Sequence, residues 1–387
     1  MAFQLQLNRE EFLRDYWQQQ PLLIRGGMAP FADPIAPELL AGLAMEDGVD
    51  ARVIRQQQGN WDVEHGPFED YERFGEVDWT LLVQAVNEWF PDVQSLLQPF
   101  RFLPDWRVDD VMVSFATENG SVGAHLDQYD VFIIQGAGER HWRVGERVSN
   151  AEEFCPHADL KQLKDSSFDA CIDTVLQAGD VLYIPAGCPH HGIALEPSLN
   201  YSIGFRAPNS AEWLAQLADQ LLASEQDFAR YRDPKFTTPP TAYAISSAQI
   251  EQVQQLLREQ LASPAGVQAL QQVMSQSKRP LPVPERELTL AELASYATTS
   301  MLLCRTPGAR LLLGSDQRLY AAGEVIAEPQ QLSAGLKQLL ELEQETPLAQ
   351  CSAVFNDSEA LQCLNELLNL GVFHLVQEVE DNAEATD

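Results

Sequence analysis

Between residues 107 and 206 the chain is cut into short apolar stretches by Gly and Pro turns. This limits what it can fold into more than any other feature. Val111-Met112-Val113-Ser114-Phe115, Val131-Phe132-Ile133-Ile134, Arg140-His141-Trp142-Arg143-Val144, Val181-Leu182-Tyr183-Ile184 and Asn200-Tyr201-Ser202-Ile203-Gly204-Phe205 follow one another. Gly136-Ala137-Gly138, Gly179-Asp180 and Pro185-Ala186-Gly187 separate several of them. Runs this short suit strands rather than helices, and many short strands with Gly/Pro turns predict a barrel or sandwich.

The flanks read differently. Asn8-Arg9-Glu10-Glu11 opens an N-terminal helix carrying Phe12, Leu13, Tyr16 and Trp17, ended by Pro21, and Leu22-Leu23-Ile24 reads as a short strand. Up to residue 100 turns and helices mix, with an amphipathic run at 79–90. After Pro208 the pattern turns helical. Asn209 and Glu212 make a capping-box start before Trp213, Leu214, Leu217, Leu221 and Phe228, and a second helix carries Ile250, Val253, Leu256, Leu257 and Leu261. Pro280, Pro282 and Pro284 predict a stiff linker. Beyond it come a helix opened by Thr289 and Glu292, a hairpin around Gly314-Ser315-Asp316, helices near 331–342 and 358–369, and a strand at 372–376. The acidic tail 378–387 is expected to fray.

Charge narrows the function classes. With 25 Lys and Arg against 57 Asp and Glu, the net charge is −32. Wrapping nucleic acid needs clustered Lys and Arg, and an anionic membrane would repel this chain. No apolar run approaches the roughly 20 residues of a bilayer span. The opening Met1-Ala2-Phe3-Gln4 lacks the basic start and apolar core of a signal peptide. The six cysteines form no CxxC pair, which predicts free thiols in a reducing, cytoplasmic setting.

One constellation carries chemistry. In Ala124-His125-Leu126-Asp127, strand periodicity would put His125 and Asp127 on one face. A third ligand is offered 63 residues beyond Asp127, in Gly179-Asp180-(four residues)-Pro185-Ala186-Gly187-Cys188-Pro189-His190. There a strand and a tight turn return a histidine to the same region. Two His and one carboxylate make the facial triad of non-heme Fe(II) oxygenases, which leaves positions open for cosubstrate and O2. The adjacent His191 competes for the third place. Only one of the pair can face inward, and His190, directly after the Pro189 turn, is favoured. Cys155-Pro156-His157 offers two ligands without partners and reads as a loop.

These residues give the chain a family likeness. It resembles the JmjC-type cupin oxygenases dependent on Fe(II) and 2-oxoglutarate. Among them it is most similar to the bacterial ribosomal oxygenases that hydroxylate an arginine of a large-subunit ribosomal protein, the L-sixteen protein. The matching text is Phe12-(three residues)-Tyr16-Trp17-(three residues)-Pro21, Gly66-Pro67-Phe68-Glu69, Leu82 to Asn87, Leu103-Pro104-Asp105-Trp106-Arg107, His125 to Gly136, Trp142 to Glu146 and Asn200 to Pro208. The likeness is strong over 1–208 and rests only on layout beyond. It implies a mainly β double-stranded β-helix (cupin, jelly roll) catalytic domain over 1–208. A helical homodimerisation segment over 209–284 and a small α/β winged-helix-like domain over 285–387 would follow.

It also implies a cation for the far carboxylate of 2-oxoglutarate. Arg140 stands where the family places a Lys or Arg, and its guanidinium fork suits a carboxylate. Ser114, Asn200 and Ser202 alternate inward and would donate hydrogen bonds to the same cosubstrate. Tyr129 and, more weakly, Asp130 are candidates for substrate contact, while Trp106, Trp142 and Phe132 read as packing. The implied target is the β-carbon of an arginine side chain in a basic ribosomal protein. Rival readings are a JmjC oxygenase of methyl-lysine or of an RNA nucleoside, and a non-catalytic cupin binding module. Residues 285–387 hold 17 acidic and 5 basic side chains, a net −12. Their winged-helix likeness therefore carries the wrong sign for DNA, and no direct nucleic-acid contact is expected.

Overall fold

A computed structural model describes residues 3–57, 59–224 and 226–377. The tail 378–387 lies outside the described residues. The chain divides into two compact units, Met1–Ala207 and Pro208–Asp387.

The first unit is built from thirteen described strands: β1 (Leu22–Ile24), β2 (Ala51–Gln57), β3 (Asn60–His65), β4 (Trp79–Val83), β5 (Val108–Ala116), β6 (Asp130–Gln135), β7 (Arg140–Gly145), β8 (Glu153–His157), β9 (Leu160–Leu163), β10 (Ala170–Leu176), β11 (Val181–Ile184), β12 (His190–Ala194) and β13 (Ser198–Phe205). The larger sheet runs β1-β11-β6-β13-β5-β4-β2-β3, the smaller runs β10-β7-β12, and β8 pairs with β9. Every named pairing is antiparallel. Together the two sheets make the cupin jelly roll expected from the sequence.

Alternation along β6 explains how the sheets are held. Val131 and Ile133 pack with Trp142, Val144, Leu176, Leu182 and Ile184, between the sheets. Phe132 and Ile134 point the other way, into a core with Phe12, Val111, Val113, Tyr183 and Tyr201. Phe132 is fully buried there, its ring centroid 4.8 Å from those of Phe100 and Tyr183 and 5.5 Å from that of Phe12. The N-terminal helix Arg9–Asp15, capped by the Asn8 side chain, brings Phe12 to this outer face. Burying one such ring contributes roughly 1.5–3 kcal/mol.

Two readings of the sequence need correction. The run at 79–90 is not one amphipathic element. It is β4 followed by the short turn Val86–Glu88, with Ala85 in the left-handed region at φ 53° between them. β4 lies between β2 and β5 and all five of its residues are buried. A strand covered on both faces shows no period of two, so its apolar run could not be told from a helix. His125 and Asp127 do not lie on a regular strand either. His125 makes a single bridge to His190, and Asp127 stands in the loop beyond it.

The second unit opens with Ser210–Ala223, whose Asn209/Glu212 capping box is complete. Ser247–Ala262 follows, and Pro264 then starts a further helix, Pro264–Ser275, capped by Ser263. Gly323 ties this helix to the hairpin region, accepting at its carbonyl from Gln272 Nε2 (2.9 Å) and donating its N–H to Ser275 Oγ (3.1 Å). Leu281, in the Pro-rich stretch, packs on the C-terminal core of Leu303, Leu336, Leu339, Leu364, Leu367 and Phe373. That core joins helices Leu290–Ser295, Ala334–Glu341 and Ser358–Asn369 to two small sheets. The arrangement is a winged-helix domain. No helix among the described residues is long and apolar enough to cross a membrane.

Candidate metal centre

His125, Asp127 and His190 each offer one ligand atom, and the three atoms lie within 4.8 Å of one another. Asp127 Oδ2 is 3.9 Å from His125 Nε2 and 3.6 Å from His190 Nε2. The turn from Pro185 to Pro189 makes this possible. Gly187, at φ 79°, donates its N–H to the Asp127 carbonyl (2.7 Å), and His190 then exchanges backbone hydrogen bonds with His125 (3.0 and 2.8 Å).

Both imidazoles are set in the tautomer a metal needs. His125 Nδ1–H donates to the Gly123 carbonyl and His190 Nδ1–H to the Cys188 carbonyl, each at 3.0 Å. That leaves both Nε2 lone pairs free toward Asp127. Burial, and then the nearby His125, lower the His190 pKa to about 4, so this ring is neutral at pH 7. His191 falls on the alternate position of β12 opposite Arg143 and is not in the three-ligand group.

Arg140, on the inner face of β7, is 6% exposed. It reaches across to the larger sheet. Its Nε–H donates to Ser198 Oγ (2.9 Å), Nη1 to Ser114 Oγ (2.9 Å), and Nη2 to the carbonyls of Ser114 (3.0 Å) and Ser198 (2.9 Å). Four of the five guanidinium N–H groups are thus fixed, leaving one on Nη1. No carboxylate among the described residues pairs with it. Burial pulls its pKa down to about 9, so the charge persists at neutrality. A buried cation without a counter-ion is costly and fits an anion supplied from outside the chain.

Asn200 lies between Ser114 on β5 and Gln135 on β6, 1% exposed, and both ends of its amide lack a partner. Buried amides are rarely left so, and an unpaired donor beside Ser114, which Arg140 hydrogen-bonds, fits a polar ligand. Ser202 sits two residues on, opposite Met112 and Ile133. Tyr129 turns its hydroxyl to Asp127. Desolvation, with Asp127 and Asp110 nearby, raises its pKa. Asp130 is not brought to this group. It opens β6 on the Phe132 face, where its carboxylate accepts from Arg107 Nη2 (3.0 Å), Tyr183 Oη (2.8 Å) and Gln18 Nε2 (3.0 Å). The guanidinium it pairs with is the chain's own.

Sequence reasoning passed over two residues here. Ser198 continues the inward series of Asn200 and Ser202 backwards by one period, a signal present in the sequence. Asp110, 2% exposed and held by Gln84 Nε2 (2.9 and 3.1 Å), shares the β5 alternation of Met112 and Ser114.

Known proteins agree with this layout. Residues 95–213 match the JmjC domain family, and residues 257–374 match the ROXA-like winged helix. The ribosomal protein uL16 3-hydroxylase of Escherichia coli is 45% identical over 335 residues, which is 85% of this chain and 88% of that protein. The chain belongs to the JmjC ribosomal oxygenases. A second member, a probable ribosomal oxygenase of Haemophilus influenzae, is 40% identical over 203 residues, covering 52% of this chain and 50% of that one. An X-ray structure of the E. coli family member YcfD covers 97% of this chain and 100% of its own, with 41% identity and a TM-score of 0.87. Another structure of that oxygenase, in complex with cobalt and 2-oxoglutarate, has 40% identity and a TM-score of 0.84, covering 96% and 99%.

Proposed function

We propose that the chain is an Fe(II)- and 2-oxoglutarate-dependent hydroxylase of the β-carbon of an arginine in a large-subunit ribosomal protein. The observation that carries this is the pairing of a three-ligand His/Asp/His group with a buried, carboxylate-free Arg140. His125, Asp127 and His190 would hold the iron through two neutral imidazoles and one carboxylate. When bound, iron with 2-oxoglutarate and O2 supplies oxidising power for an unactivated C–H bond, with succinate and CO2 as by-products. Arg140 holds the far carboxylate with its remaining Nη1–H, Ser114 adds its hydroxyl, and Asn200 and Ser202 add further donors. At the substrate end Tyr129 presents a phenol turned to Asp127 and is exposed to an incoming side chain.

The flanking regions complete the reading. Residues 1–208 act as the catalytic domain, 209–284 as a homodimerisation segment and 285–387 as the winged-helix-like domain. Nothing in Ser247–Ala262 is buried, and Ile250, Val253, Leu257 and Leu261 lie 37–56% exposed on it, an apolar face suited to a second copy. The net charge of −32 suits a basic ribosomal protein met in the cytoplasm better than RNA.

Incubation of the full chain with Fe(II), 2-oxoglutarate and basic ribosomal-protein peptides, read by mass spectrometry, tests the assignment. One oxygen should be gained on an arginine, and His125→Ala should abolish the gain. Cosubstrate turnover without any modified ribosomal peptide would move the assignment to another substrate.

A further inference from the structure

Trp142 packs with Val131, Ile133 and Val144 between the sheets, yet packing does not account for all of it. It is the residue between Arg140 and Val144 on the inner alternation of β7, and its register partner on β12 is Gly192, two positions from His190. The indole lies over that glycine. A Cβ on Gly192 would come within 2.7 Å of the ring's Cζ2. The Trp142 and His190 ring centroids are 6.2 Å apart. The indole therefore occupies the stretch of sheet between the anion-holding arginine and the metal-facing histidine. The side chain is 8% exposed, and its Nε1–H is buried with no acceptor. A buried indole N–H normally finds a partner. The ring stands beside the span between Arg140 and the metal-facing histidine.

We infer that the Trp142 indole N–H donates a hydrogen bond to a carboxylate oxygen of the bound 2-oxoglutarate. This rests on the cosubstrate reading above. It makes Trp142 a binding residue as well as a packing one, and it makes Gly192 obligatory, because a side chain there would displace the ring.

The test uses the full chain with 15N-labelled tryptophan and Zn(II) in place of iron. The protein has seven indole N–H groups, and Trp142→Phe identifies the relevant resonance by its loss. Adding 2-oxoglutarate should shift that resonance downfield and slow its exchange with water. Calorimetry should show cosubstrate binding about tenfold weaker in Trp142→Phe, the loss expected for one hydrogen bond to a charged group, with zinc stoichiometry unchanged. Binding heat in the wild type with an unmoved Trp142 resonance would mean the N–H meets only water and would overturn the inference. No binding heat in the wild type would sink the 2-oxoglutarate reading itself, and this inference with it. If Trp142→Phe folds poorly, wild-type binding heat with none of the seven indole resonances shifted would equally overturn the inference.

Discussion

Ser198→Ala isolates what holds the arginine fork. Ser198 is 1% exposed, and its Oγ is the acceptor, at 2.9 Å, of the Arg140 Nε–H. The alanine methyl leaves that N–H buried without a partner. A hydrogen bond from a charged group contributes about 1.5–3 kcal/mol. The Ser198 carbonyl and both Ser114 contacts survive, so the guanidinium keeps three of its four ties. The lower end of the range applies, and stability should fall by about 1.5 kcal/mol. The loosened fork should bind 2-oxoglutarate about tenfold more weakly, equivalent to about 1.4 kcal/mol. The proposed metal ligands lie on β12 and its neighbouring loop, so metal affinity should not change. Urea unfolding, metal titration and calorimetry of 2-oxoglutarate on the zinc-loaded protein separate these effects. Lost stability with unaltered cosubstrate affinity would refute the reasoning, because Arg140 would then be only a brace between the sheets.

Three further outcomes follow from the same geometry. Gly123 sits at φ 82° with the Gln162 amide 2.1 Å from where a Cβ would stand, and its carbonyl orients His125. Gly123→Ala should weaken metal binding by roughly 10–100-fold, measured by competitive chelation. Asp130→Asn breaks an ion pair between a fully buried carboxylate and the partly buried Arg107 and should cost about 3–5 kcal/mol in urea unfolding. The folded fraction should keep its KM for the ribosomal peptide, and a raised KM would restore Asp130 to the substrate site. Burial lowers the pKa of His374, whose Nδ1 lies 3.2 Å from Thr306 Oγ1. Its folded pKa is below the unfolded 6.5, so the unfolded state binds more protons as pH falls through 6.5 toward the folded value, and stability is lost in that window. Hydrogen-exchange protection factors of Met301–Arg305 and Phe373–Gln377 should fall there, and His374→Gln should remove the dependence.

The catalytic core was legible because its information is local. Glycine and proline turns mark strand ends, and the Pro189 turn fixes which neighbouring histidine comes inward. Ser114 and Asn200 followed from alternation on strands whose limits were clear, and Arg140 from the family resemblance. Where a strand is covered on both faces, as β4 is, periodicity is erased and the element was misread. Asp130 shows the other limit. Alternation counted from Asp127 and Tyr129 stops at the start of β6, and the facing of a strand's first residue is decided by the Arg107, Tyr183 and Gln18 that receive it. Partners so distant in sequence leave no mark beside the residue itself. The unpaired Trp142 N–H was hidden for the same reason, since an absent acceptor is a property of the whole interior.

Arg140 is rooted in the smaller sheet and tied by both its serines to the larger one, while His190 stands on the same smaller sheet, one strand away. Neither end of that span can drift without pulling a sheet. The barrel thus acts as a fixed gauge. With Arg140 holding the far carboxylate as proposed, it would select a keto diacid by the number of carbons between its two acid groups, a selectivity for length built into the backbone rather than into any one side chain.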